Sequence, residues 1–377
     1  MKKLCYIATI PAVVHSFLRG HIQKSANKYE ITVICNSTDK YLLDDLNARL
    51  VYLPIVRKPS PLKDMLIFFQ LCVLFQREKF DIVHSIMPKT GMLAMVAAWI
   101  VRVPIRIHTF TGQVWVLRKG IHRFLFKWID KLIGIFSTCV LADSPSQRDF
   151  LINEKVLPKG KAKVIGAGSI CGVDPSRFHQ DSNKRKVIRN ELGISLESKV
   201  ILYVGRLNRD KGVLDLATAF HSIAKNNQSV ELLLVGTVED VPFDQIQEIC
   251  STERNRLHHV EFSSTPEHYM MAADIFCLPS YREGFGLTII EAAACGIPTV
   301  ASRIYGIIDA VSDEKTGLLF QAGDVNILTR LILKLLTEDN LRQRIGNRAY
   351  IRTLELFSSD IITGEMVELY DSLSEGQ

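Results

Sequence analysis

The sequence predicts an α/β protein of two facing, doubly wound, Rossmann-like domains, closed by carboxyl-terminal helices. Three observations predict it. The chain has 377 residues, too many for one ordinary core and suited to two domains. Short apolar runs alternate with helical patterns from end to end, the mark of parallel strands buried on both faces under helices. At residues 166–178, "GAGSICGVDPSRF", glycines and a proline break the pattern. A charged polar stretch follows at 180–189, and the alternation then begins again.

The first strand is predicted at residues 4–10. Lys2 and Lys3 ahead of it imitate a signal peptide, but Pro11 and His15 interrupt the uncharged stretch and no A-x-A site follows. Further strands are predicted at 31–35, 81–84, 105–109 and 139–142, with helices at 62–77, 90–101 and 122–135 between them. Residues 90–101 are apolar but too few to span a bilayer, so a soluble or peripheral protein is expected. After the break, strands at 200–204, 231–235, 275–278 and 298–301 alternate with helices at 212–225 and 287–295. Helices at 328–336 and 361–373 close the chain. The expected division is a domain at 1–165, a linker at 166–190 and a domain at 191–377. The last helix, about 358–373, is expected to pack back toward the amino domain. Two such units predict a ligand cleft between them.

Charge divides unevenly. Residues 1–180 carry 26 Lys and Arg against 12 Asp and Glu, and the remainder carries 20 against 28, which implies different partners for each half. The basic half suits a membrane surface, a phosphorylated substrate or nucleic acid. No RNA- or DNA-binding motif accompanies it, so nucleic acid is not expected. The eight cysteines are scattered and form no Cys-x-x-Cys pair, which predicts reduced, buried thiols in a cytosolic protein.

Two segments carry chemistry. "YVGRLNRDKGV", residues 203–213, leaves a strand and enters a helix. Gly205 allows a tight turn, and Arg206 and Lys211 then stand near a helix start that favours anions. A planar guanidinium and a mobile ammonium both suit a diphosphate; a solvated basic turn is the plainer reading of this segment alone. "SYREGFGLTIIEAAACGIPTVAS", residues 280–302, is the second. Gly284 and Gly286 let a ligand approach the main chain, and a helix beginning at Gly286 or Leu287 leaves its first amides free for an oxyanion. Glu283 stands beside that point. Glu291 lies in a nearly uncharged run, where a carboxylate is costly without partners, and it can accept two hydroxyl hydrogen bonds.

Together these segments resemble the retaining glycosyltransferases of family 4, which have the GT-B fold. The resemblance covers nearly the whole chain. Its specific part is G-R-x-x-x-x-K-G at 205–212 with E-G-F-G-x-x-x-x-E at 283–291; "HTFTG" (108–112), "DSPSQRDFL" (143–151) and "GSICGVDPSRF" (168–178) are similar to other landmarks of the family. The members it looks most like build bacterial O-antigen, capsule or other surface polysaccharides. The resemblance implies that Gly205, Arg206 and Lys211 hold the donor diphosphate. It implies that Glu283 and the backbone of Gly284, Phe285, Gly286, Leu287 and Thr288 hold the donor sugar and distal phosphate. Glu291 would bind the nucleotide ribose, and His108 would face sugar hydroxyls at the reaction centre. Glu283 and His108 are thus the catalytic candidates. The chain departs from the family pattern twice. The loop after the first strand, "TIPAVVHS" (9–16), lacks glycine, and Cys171 stands where an Asn commonly precedes Gly-Val-Asp.

The expected activity is transfer of a sugar, with retention, from a UDP-linked hexose or N-acetylhexosamine to a lipid-linked glycan on the inner face of the cytoplasmic membrane. No metal and no cofactor is expected, because the cations and helix amides meet the charge that grows on the diphosphate; the lack of an Asp-x-Asp and of a His/Cys cluster with ligand spacing agrees. The basic, aromatic segment 112–133 reads either as an interfacial segment on an anionic membrane or as a core helix with one basic face, and the charge of the amino half favours the membrane. His15 and Lys89 are weaker acceptor contacts, expected in loops after strands. The rival readings are a UDP-sugar epimerase of similar architecture and a non-catalytic nucleotide-sugar-binding protein.

Overall fold

The computed structural model describes residues 1–57 and 59–375. The chain divides into two compact units. One is Met1–Gly172 together with the chain from Ser359 onward, and the other is Val173–Ser358.

The amino unit holds a seven-stranded sheet: β1 (Lys2–Ile7), β2 (Tyr29–Cys35), β3 (Arg49–Tyr52), β4 (Ile82–Ile86), β5 (Ile105–Phe110), β6 (Cys139–Ala142) and β7 (Ala162–Lys163). Their order is β3-β2-β1-β4-β5-β6-β7, all parallel. β1 shows why the run is apolar throughout. Leu4 and Tyr6 enter one core while Cys5 and Ile7 enter the other, as the two-residue period of a strand requires. Helices Pro61–Glu78, Pro88–Ile100 and Gly120–Phe136 cover the Cys5 face. The Arg19–Ser25 helix and the last helix, Ser359–Glu375, cover the other. Ile362, Met366 and Tyr370 of that last helix are buried in this core, and the Tyr370 hydroxyl lies 2.6 Å from His84 Nδ1.

The carboxyl unit holds β8 (Lys199–Val204), β9 (Val230–Val235), β10 (Leu257–Val260), β11 (Ile275–Leu278), β12 (Thr299–Ser302) and β13 (Gly317–Phe320), in the order β10-β9-β8-β11-β12-β13, again all parallel. Strand order reverses between β8 and β11, the switch point at whose carboxyl-terminal strand ends ligands of such sheets bind. The loops leaving these two ends carry residues 205–212 and 279–286.

The structure differs from the predicted division: the linker at 166–190 does not stand apart but divides between the two units after Gly172, and the chain from Ser359 belongs to the amino unit. The polar run assigned to the linker is instead a helix, Ser182–Glu191, capped by Asp181, whose carboxylate accepts from the amides of Asn183 (2.8 Å) and Lys184 (2.9 Å). Arg185 and Arg189 fasten it to Asp274 at 2.8 and 2.7 Å. Arg189 is fully buried, and backbone carbonyls of Ala272, Ser195 and Ser198 take its remaining protons. Such satisfaction is what permits a buried guanidinium.

Candidate active site

β8 ends at Val204 and the chain turns through Gly205. Asn208 caps the short 3-10 turn Arg209–Lys211, accepting from the Lys211 amide at 2.9 Å. Gly212 follows with φ 68°, and a Cβ there would fall 2.1 Å from the carbonyl oxygen of Pro279. Only glycine lets the loops after β8 and β11 touch at this point. Two further bonds join them: the Tyr281 amide donates to Asp210 O at 2.8 Å, and Arg282 Nη2 pairs with Asp210 Oδ2 at 3.1 Å.

The stitched loops bring Lys211 and Glu283 into a direct ion pair. Both are partly buried, and Ser280 Oγ donates to the same carboxylate at 2.9 Å. Arg206 pairs with Glu239, which also accepts from Asn208 Nδ2 at 2.6 Å. Tyr203 lies beside both pairs. Its hydroxyl donates to Arg206 O at 2.7 Å, burial raises its pKa, the Glu283 carboxylate raises it further and Arg206 opposes them. No motif points to Glu239. The available signal is an acidic residue just past the carboxyl end of β9, and such residues are common.

Gly286 precedes the helix Leu287–Ala294 with φ 93°, and no side chain caps the helix start. The first-turn amides of Leu287 and Thr288 therefore keep the anion-favouring character of an uncapped end. Phe285 points away from this end. It is buried and stands edge-on to Phe357 with centroids 5.2 Å apart, so it anchors the loop. Glu291 lies on the second turn, partly buried. Burial pushes its carboxyl up to about 7; Arg177 opposes this and Glu267, itself paired with Arg177 at 2.9 Å, adds to it.

In the amino unit His108 lies near the end of β5 as the strand pattern predicts, but it is fully buried, whereas a side chain facing sugar hydroxyls is the expectation. Ser85 Oγ lies 2.8 Å from its Nδ1, and Phe110 stands edge-on at 4.6 Å. A Cβ at Gly91 would fall 2.3 Å from the ring. Nε2 has no hydrogen-bond partner among the described residues, and burial holds the imidazole neutral by lowering its pKa to about 3. His15 and Lys89 lie in helical turns where loops were expected, because Pro11 and Pro88 each open a helix. His15 belongs to the π-helical turn Val14–Leu18, and Lys89 pairs with Asp64 at 2.7 Å. The two departures from the family pattern touch each other: Cys171 Sγ donates to Ser16 O at 3.6 Å.

Residues 184–352 match the family model described as glycosyl transferases group 1, and residues 23–168 match the glycosyl transferase 4-like domain. A Staphylococcus aureus protein, the capsular polysaccharide biosynthesis glycosyltransferase CapM, is 30% identical over 380 residues that cover 100% of this chain and 99% of the relative. The chain belongs to the group 1 glycosyltransferases. This glycosyltransferase is also 29% identical, over 83% of its length and 81% of the relative's, to the Escherichia coli UDP-Gal:alpha-D-GlcNAc-diphosphoundecaprenol alpha-1,3-galactosyltransferase. Its fold matches Anabaena Alr3699/HepE in complex with UDP-glucose at a TM-score of 0.83, 19% identity and coverage of 99% and 100%. It also matches WaaG, a glycosyltransferase involved in lipopolysaccharide biosynthesis, at 0.76, with 15% identity and coverage of 97% and 99%. The architecture is therefore GT-B.

Proposed function

We propose that this glycosyltransferase moves a hexose or N-acetylhexosamine from a UDP-linked donor, with retention, to a lipid-linked glycan in bacterial surface-polysaccharide synthesis. The carrying observation is the Lys211–Glu283 pair, held between two stitched loops beside an uncapped helix start. As the glycosidic bond opens, negative charge grows on the departing diphosphate. Lys211, Arg206 and the amides of Leu287 and Thr288 stabilise that charge from fixed positions, the largest contribution in many enzymes. These cations supply what a divalent ion supplies elsewhere, so the reading includes no metal. Glu283, released from Lys211 by the incoming phosphate, turns to the donor sugar, whose carbon develops positive charge. Glu291 accepts from the two ribose hydroxyls. His108 is fully buried in the free chain, so its role at sugar hydroxyls requires that donor binding uncover its Nε2, which has no partner among the described residues. The names of CapM and of the galactosyltransferase support the pathway and the diphosphate-lipid acceptor. Such an acceptor implies work at the cytoplasmic face of the membrane.

The test is incubation with a panel of UDP-sugars and diphosphate-lipid acceptors, followed by mass spectrometry and NMR of the product in the presence of EDTA. Addition of one sugar with an α-linkage is expected. An epimerised donor in the absence of acceptor, or UDP binding without turnover on any lipid extract, overturns the reading.

A further inference from the structure

The three helices over one face of the amino sheet each bury an inward stripe in a single core. Ile67, Leu71 and Phe75 lie in it from Pro61–Glu78, Ala94 and Met95 from Pro88–Ile100, and Ile133 from Gly120–Phe136. The outer sides of the first and third are apolar as well. Leu62, Leu66, Phe69 and Val73 are all more than half exposed, at the spacing of one helical face. On the third helix Ile121, Phe124 and Ile135 are likewise more than half exposed, and Trp128, 43% exposed, lies on the same face. The sheet occupies the inner side of this layer, so both stripes leave it on the outer side. A water-soluble helix with an apolar stripe on each side is short of one partner.

Charge identifies that partner. Residues 61–136 carry eleven Lys and Arg against four Asp and Glu, and every one of the four acids is engaged. Asp64 holds Lys89, Glu78 holds Arg49 and Arg77, Asp81 accepts from the Lys3 amide, and Asp130 is buried against Trp115 Nε1 at 2.7 Å. Lys63, Arg118, Lys119 and Lys131 stay exposed around the stripes. A second copy of this chain is a poor occupant, because a two-fold interface uses the same patch on both subunits and so sets this net-positive face against itself. Among the described residues no helix is long and apolar enough to cross a membrane, so the layer lies on a bilayer if it meets one.

We propose that this face, with the Pro61–Glu78 stripe as a full partner to the Gly120–Phe136 stripe, seats the protein on an anionic phospholipid surface. The inference extends the lipid-linked-acceptor reading by naming the surface that meets the lipid. It also sorts the segment at 112–133. Trp115 is fully buried and Phe126 packs on the core, with Arg123 and Lys127 turned inward to Glu154, so only the Phe124 and Trp128 side faces lipid.

The experiment is flotation of the full-length protein on vesicles of phosphatidylglycerol and phosphatidylcholine, against vesicles of phosphatidylcholine alone, at 0.1 and 0.5 M salt. The variants are Leu66→Glu/Phe69→Glu, Leu66→Ser/Phe69→Ser and Phe124→Glu/Trp128→Glu, each checked for an unchanged melting curve. Wild type is expected to float with the anionic vesicles, and each double variant to lose on the order of tenfold in bound fraction, with transfer to a short water-soluble acceptor unchanged. Wild-type behaviour of both variants on the Pro61–Glu78 helix overturns the inference. So does a wild-type dimer that these substitutions dissociate, or absence of wild-type flotation. A protein that floats but transfers no sugar leaves this surface standing and removes the transferase reading; one that transfers without floating does the reverse.

Discussion

Replacing Glu291 with glutamine should stabilise the unliganded protein at pH 8 while weakening its hold on the donor. The carboxyl is raised from an ordinary 4.5 to about 7, with burial as the main cause. Below pH 4.5 folded and unfolded chains both carry the proton, and the group costs nothing. Between 4.5 and 7 the unfolded chain ionises while the folded carboxyl keeps its proton, so stability falls as pH rises. Above 7 the folded carboxylate is charged too and the loss stays constant. A gap of about 2.5 units corresponds to a ceiling near 3 kcal/mol at 1.36 kcal/mol per unit. The side chain is partly exposed, which places the working value at about 1–3 kcal/mol. Glutamine is neutral at every pH and avoids this loss.

The assay is thermal and urea unfolding of both proteins at pH 5, 6, 7 and 8 and constant ionic strength. Near pH 5 the two should differ little. At pH 8 the variant should lead by about 1–3 kcal/mol, with about 2–4 °C in Tm per kcal/mol for a unit of this size. Donor binding should move the opposite way. The ionised carboxylate is the form that accepts two ribose hydroxyls, so wild-type affinity should climb from pH 5 to about 7 and then level, and the variant should show no such step. A Glu291→Gln variant less stable than wild type at pH 8 would refute the reasoning, because it would mean the carboxylate is held by a favourable partner that outweighs burial.

Lys211→Ala should weaken UDP binding by about 1.5–3 kcal/mol, roughly 12- to 150-fold, the scale of a charged hydrogen bond, measured by calorimetry; unchanged affinity removes its diphosphate role. Glu283→Gln should leave UDP binding equal or tighter, since it removes the carboxylate that competes for Lys211, while turnover falls most; equal turnover with a normal melting curve removes its sugar role. Ser85→Ala leaves His108 Nδ1 without its partner in a buried site, which should cost about 1–3 kcal/mol in stability and lower kcat more than it alters the KM for donor. Because His108 is neutral down to about pH 3, the wild-type rate profile should show no inflection from it between pH 5 and 8; an imidazole inflection that vanishes in His108→Gln contradicts the burial argument.

How far the sequence speaks depends on where a residue's partners lie. β1, β8 and β11 read directly, because both faces of each are buried and their runs carry no polar alternation. β10 and β13 do not stand out. "LHHV" places two partly exposed histidines on an edge strand, and "GLLF" is only four residues long. The helix Ser182–Glu191 reads as linker because its composition is polar, yet Arg189 finds its compensation in carbonyls and in Asp274, far off in sequence. Trp115 groups with the interfacial aromatics only by proximity along the chain. It precedes the helix, so the helical period that governs Phe124 and Trp128 does not apply to it. The residue types at 205–212 and 283–291 are legible because chemistry restricts them. Their pairing with carboxylates is not, because Glu239 approaches Arg206 only through the β8–β9 register.

That pairing bears on selectivity. Each proposed phosphate ligand already holds an anion in the free protein, Arg206 with Glu239 and Lys211 with Glu283. An incoming monoanion trades one carboxylate for one ligand oxygen, an exchange close to neutral, since both partners are charge-assisted acceptors. A diphosphate that reaches both cations replaces two carboxylates with one ligand and fixes only one body in space. Glu239 regains water, while Glu283 is left beside the donor sugar, without its cation, at the moment a positive charge is about to form there. The same pairs keep Lys211 and Arg206 ordered without a ligand, which avoids reorganisation when the bond breaks. A carboxylate on each cation thus reads as part of the donor site, holding it ready and making it answer to a diphosphate over a single phosphate.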